Sequence, residues 1–145
     1  MNAPSKTAIL EPLTQSDLTV ADPAEDIRGR TVYDRDGEEI GTVDDLIIDR
    51  EERKVRFIRL VSGGILGIGE ERYLVPVDAI TGIDRDVRGG VRIDQTHQRV
   101  AGAPKYEPDL AADPGYYRGL YGYYGFAPYW GADYVYPPYP YFPPR

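Results

Sequence analysis

The stretch that decides the fold is residues 26–80, DIRGRTVYDRDGEEIGTVDDLIIDREERKVRFIRLVSGGILGIGEERYLVPVDAI. Short β-branched and aliphatic runs recur in it between turn signals, at strand-length spacing, and no long helical period competes with them. Arg30 to Asp34 reads as a short strand, and Asp34-Arg35-Asp36-Gly37 supplies the Asp and the Gly of a tight turn. Ile40 to Asp49 runs back. Within it the apolar parity changes, because Leu46 and Ile48 fall on one face while Val43 and Ile47 fall on the other. A bulge near Asp44-Asp45 reconciles the two and gives a small sheet the bend it needs to curl.

Working outward, Lys54 to Val61 begins in alternation and ends in the run Ile58, Leu60, Val61, which predicts a central strand covered on both faces near its end. Tyr73, Val75 and Val77 share a face of the next strand, and Pro76 among them has no N–H to donate, so one side of that strand lies at an edge or a bulge. Val87 to Asp94, turned by Arg88-Gly89-Gly90, adds a last short strand. Thr96 to Ala101 reads as one helical turn, capped by Thr96, ending at Gly102, with Pro104 preventing continuation. The fold class is therefore all-β, a small barrel or tightly rolled sheet. Its expected core is Val32, Ile40, Val43, Leu46, Ile48, Val55, Phe57, Ile58, Leu60, Leu74, Val75, Val77, Ile80 and Ile93.

This region resembles a PRC-barrel domain, the module named for its relation to the H subunit of photosynthetic reaction centres. The resemblance rests on Ile27-Arg28-Gly29, the Val32 to Val43 hairpin with Gly37 and Gly41, Asp44 to Asp49, Val55 to Val61 and Tyr73 to Val77. Arg92 to Gln95 and Ala103 to Pro108 are similar to the exit of stand-alone bacterial members. The resemblance implies a non-enzymatic module that binds another protein through its barrel surface. It also brings in two alternatives, a reaction-centre or membrane-surface accessory protein and a ribosome-maturation-type binding protein.

Composition limits the choice. Cysteine is absent, which excludes disulfides, thiolate zinc sites and redox motifs and fits a cytoplasmic protein. Residues 1–25 hold no apolar run of signal-peptide kind, and no stretch is long and apolar enough for a transmembrane helix, although peripheral membrane contact stays open. The net charge of −7 divides as −3 for residues 1–25, −2 for 26–105 and −2 for 106–145. No segment is basic, so nucleic acid is not an expected partner.

Residues 1–25 read as an arm, disordered or extended, with Leu13 or Leu18 able to lie against the barrel formed by residues 26–105. Residues 106–145 are a low-complexity tail carrying 11 of the 13 tyrosines and 8 of the 13 prolines, with Trp130, Phe126 and Phe142. Such a composition argues against a regular helix or a central strand, since Pro removes donors and Gly raises backbone entropy. Two readings stay open: a disordered or polyproline extension, or a set of adhesive rings, Tyr116, Tyr117, Tyr121, Tyr123, Tyr124, Tyr129 and Trp130, that stack on a partner or on neighbouring copies in a homo-oligomer. The apolar residues Ile65, Leu66 and Ile68 of the glycine-rich loop 63–69 are a further candidate contact.

Chemistry-bearing residues are sparse. His97 is the sole histidine and stands in a polar segment, which makes it an exposed side chain rather than a general base. Asp34, Asp36 and Gly37 do not have the spacing of a calcium loop. Asp45 and Asp49 are the pair of carboxylates that share a face on a regular strand and could meet a surface cation. Neither a catalytic residue, nor a metal ligand set, nor a cofactor site is assigned.

Overall fold

The computed structural model describes residues 10–15, 26–49, 51–52, 54–62, 71–84, 86, 89–107, 113–132 and 134–137. Among these, seven strands form one curled sheet: β1 (Leu10–Pro12), β2 (Thr31–Tyr33), β3 (Glu39–Asp49), β4 (Lys54–Ser62), β5 (Glu71–Pro76), β6 (Ile80–Ile83) and β7 (Val91–Ile93). The order is β5-β4-β3-β2-β7-β6, with β1 on β3 beside the β2 pairing. All pairs are antiparallel except β2 with β7. Two helices follow, α1 (His97–Ala101) and α2 (Pro114–Tyr124). Leu18 and the loop residues Ile65, Leu66 and Ile68 lie outside the described residues.

The hairpin between β2 and β3 forms because Gly37 takes a φ of 86°, and the Asp34 carboxylate accepts from the Asp36 and Glu38 backbone N–H groups across it. Gly41 is required for a different reason. A Cβ there would stand 2.3 Å from the Val61 carbonyl oxygen, so only glycine lets β3 and β4 approach. The register of β3 against β4 shifts between Val43 and Asp45, the bulge that the parity change called for, and again between Ile47 and Ile48. β5, with Pro76, lies at one end of the sheet order, and β4 is internal. The continuous burial on β4 falls at Arg56, Phe57 and Ile58 rather than at its end, where Val61 is half-buried. Thr96 caps α1 by accepting from the Arg99 N–H, and Gly102 follows the helix.

The expected core is buried except Val55 and Ile80, which are half-buried. Ile27, Ile47, Ile83 and Val91 join it, as do Leu10 and Leu13 from the arm. The arm is held by Asp45, whose carboxylate accepts from the Thr14 hydroxyl at 2.5 Å and the Thr14 N–H at 3.3 Å.

The largest departure is in the tail. Residues 114–124 form an 11-residue helix, where composition argued against one. The breakers stand where they do no harm: Pro114 is in the first turn, where its missing N–H has no partner to lose, and Gly125 ends the helix at a φ of 83°. Asp113 caps the start by accepting from the Gly115 N–H at 2.9 Å. Gly115, Gly119 and Gly122 each cost about 1 kcal/mol of helix propensity. Against that cost, Tyr117, Leu120, Tyr121 and Tyr124 recur at helical spacing and are all buried, so the helix is stabilised by tertiary packing.

The Phe57 ring lies 5.4 Å from that of Tyr117 and 5.1 Å from that of Tyr121, so one core spans the barrel and the tail. Phe57→Ala is expected to lower unfolding free energy by about 3–5 kcal/mol. Denaturant unfolding of the full chain measures this, and the 1–105 fragment, which lacks the rings that cover Phe57, is expected to bind a hydrophobic dye that the full chain does not.

Candidate functional site

Beyond α2 the described residues 126–132 and 134–137 form a strap across β4. Its anchor is Arg56, a cation only 1% exposed. Burial of a guanidinium is tolerated when its donors and its charge are both answered. Here Arg56 donates to Asp49 at 3.2 Å and to Glu52 at 2.5 Å, and its guanidinium carbon lies 4.2 Å from the centre of the Tyr129 ring, 5.4 Å from Tyr136 and 5.9 Å from Tyr134. The strap is fixed further by the Tyr136 hydroxyl, which donates to the Val55 carbonyl at 3.1 Å, and by Lys54 over the Tyr136 ring at 4.9 Å.

Trp130 meets Tyr121 and Tyr129 edge-on, at 5.7 and 5.1 Å. α2 is clasped to α1 by a reciprocal pair: Arg99 donates to the Tyr123 carbonyl at 2.5 Å, and the Tyr123 hydroxyl donates to the Arg99 carbonyl at 2.6 Å. At the other side Arg59 bridges to Asp44 at 2.8 Å and lies 5.5 Å from the Tyr106 ring.

The rings expected to reach outward thus lie mostly against the chain's own barrel. Tyr116, Tyr117, Tyr121, Tyr124 and Tyr129 are buried, while Tyr123 and Trp130 are half-buried. Burial pushes all five buried phenols far above their ordinary value of 10.0, so they stay protonated at any physiological pH. What the strap leaves partly open is a strip made of Phe126, Trp130, Tyr134 and Tyr136, with Val135 82% exposed. Apart from Trp130, the sequence reading missed this strip, and it missed Arg56. A basic residue in the middle of an apolar strand, opposite a surplus of tail tyrosines, is the signal that could have found the anchor.

The carboxylates considered as cation ligands do other work. Asp45 holds the arm, and Asp49 accepts from the Glu51 and Glu52 N–H groups as well as from Arg56. His97 is exposed; its backbone N–H, not its ring, donates to Asp34 at 3.0 Å. Among the described residues no group of three or more His, Cys, Asp or Glu could hold a metal ion, and no helix is long and apolar enough to cross a membrane.

A curled all-β sheet with its last strand fed back in parallel beside the first hairpin defines the class as a small barrel. The family model of the PRC-barrel domain matches residues 21–100, more than half of the chain, and the protein belongs to that family. No curated protein matches the chain.

Two predictions follow from these charges. Burial raises the Asp34 carboxyl, but the N–H groups of Glu38, His97 and Asp36 together outweigh it and hold the group below its ordinary 3.8; Arg28 does the same for Asp26. A depressed carboxyl contributes stability that is fully present above the unfolded value and lost as pH falls through the folded one. Unfolding free energy is therefore expected to fall as pH drops below about 4, less steeply in Asp34→Asn, as measured by denaturant titration across that range. Replacing Arg56 by Met leaves Asp49 buried without its cation, at an expected cost of about 3–5 kcal/mol. Trp130, the sole tryptophan, reports the loosened strap as a red-shifted emission.

Proposed function

We propose that the chain is a non-enzymatic protein-binding or assembly module, in which the barrel carries the strap and the strap's outer strip meets a partner protein or a second copy. The observation that carries this reading is the half-exposed aromatic strip of Phe126, Trp130, Tyr134 and Tyr136 around Val135, held on its inner side by Arg56. Rigid amphipathic rings that present one edge to solvent and are anchored by the other are suited to recognition, because little side-chain entropy is left to lose on binding. The engagement of Asp34, Asp45, Asp49 and Arg56 in holding the fold supports the non-enzymatic part of the reading.

The test uses a photo-reactive residue at position 135 in the full chain within its native cell, with position 39, an exposed site on β3, as the control. Capture of one defined protein, or of the chain itself, at 135 and not at 39 is the expected result, with loss of capture in Phe126→Ser. Equal capture at both positions overturns the reading. So does turnover of an ester, phosphate or nucleotide substrate that His97→Ala abolishes. Flotation of the chain with neutral lipid vesicles would assign the strip to a membrane surface instead.

A further inference from the structure

Beneath the strap four buried polar atoms have no hydrogen-bond partner: Arg56 Nε, Asp78 Oδ1, the Tyr121 hydroxyl and the Tyr134 hydroxyl. They come from β4, the 3-10 turn Val77–Ala79 after β5, α2 and the strap, and they share one neighbourhood. Arg56 lies 5.9 Å from the Tyr134 ring and 4.2 Å from that of Tyr129, and the Tyr129 ring lies 6.5 Å from that of Tyr121. The charges or dipoles of Asp78, Tyr134 and Arg56 all act on Tyr121. A fifth unpartnered atom, the Tyr124 hydroxyl, stands apart near Arg99 and Tyr73.

A buried polar atom left unmade costs about 1–3 kcal/mol, so four together would take away much of a small domain's stability. The Tyr134 hydroxyl stands close enough to Asp78 to act on its carboxyl, but neither atom attains the geometry of a hydrogen bond, and no other pair among the four is bonded. Their chemistry is nevertheless complementary: Arg56 Nε–H only donates, Asp78 Oδ1 accepts, and each phenol does either. We propose that these four atoms form an internal hydration site, in which bound water joins β4, the turn after β5, α2 and the strap.

One water accepts from Arg56 Nε–H, donates to Asp78 Oδ1, and keeps one donor and one acceptor for the two phenols, so every atom is answered. An ion fits less well. The guanidinium already faces Asp49 and Glu52, which leaves a neutral, two-way ligand as the class that matches. Arg56 and Tyr121, each 1% exposed, form the inner wall of the site and the half-buried Asp78 and Tyr134 its outer wall, so the water would exchange past the strap. Burial also raises the Asp78 carboxyl above its ordinary value, only partly offset by the Tyr134 hydroxyl, its own backbone N–H and Arg56.

The site is tested on the full chain by oxygen-17 water relaxation dispersion, which detects long-lived water oxygens and is blind to phenol protons. Nuclear Overhauser effects from water to Arg56 Nε–H accompany it. The expected result is a water contact at Arg56 Nε–H, and a dispersion amplitude that falls by about one water in Asp78→Leu. Trp130 emission checks that the strap of the variant stays in place. If Asp78→Leu does not fold, Tyr134→Phe serves: it keeps three of the partners and is expected to shorten the residence time of the water. No contact at Arg56 Nε–H overturns the proposal. An unchanged amplitude in folded Asp78→Leu, or an unchanged residence time in Tyr134→Phe, overturns it as well.

Discussion

Arg56 is a full positive charge placed where an apolar residue would ordinarily sit, and the strap tyrosines Tyr129, Tyr134 and Tyr136 are arranged around it. Isolated, such a charge would be far too costly to bury. Asp49 from the neighbouring strand and Glu52 from the turn between β3 and β4 supply the opposite charge, and the ring of Tyr129 lies over the guanidinium in place of water. The two carboxylates come from the same hairpin as Arg56, so β3 and β4 must be in register before the pair can form. The aromatic groups come from far along the chain. An electrostatic demand created on β4 is thus met partly by the tail, and this couples the strap to the barrel.

That coupling alters what the aromatic tail means. A segment with this many rings and this little chance of forming its own core needs another surface, and here that surface is the chain's own sheet. Phe57 bridges the two parts, with Tyr117 and Tyr121 packed on its ring. Among the described residues, what the tail leaves partly open is the outer rim of the strap, narrower than the composition implied and backed by Arg56 and Val55 of β4. The family supplies the barrel and leaves the strap unaccounted for, since the match ends at residue 100 and the strap lies after it.

The barrel was largely legible because its signals are local. Gly37 in a turn that needs positive φ, the parity change near Asp44-Asp45, Pro76 in a strand with a free side and Thr96 before a short helix each act over a few residues, and each appears where expected. The sequence reading has no strand at Ile80–Ile83, where β6 follows directly on the three-residue 3-10 turn Val77–Ala79 and is itself only four residues long. The helix α2 was hidden by composition. Gly and Pro counts say nothing of position, whereas Pro114 in the first turn, Gly125 just past the last and the spacing of Tyr117, Leu120, Tyr121 and Tyr124 are positional facts.

By itself the sequence determined the all-β class, the family, the turns, and most of the strand core, since periodicity and turn chemistry are properties of neighbours in the chain. Tertiary structure decided where the tail goes, which tyrosines are hidden, and that Arg56 lies inside. Each of those outcomes depends on groups tens of residues apart meeting at one place. A buried charge is stable only if its partners arrive, and no window of sequence around Arg56 contains Tyr129 or Asp78.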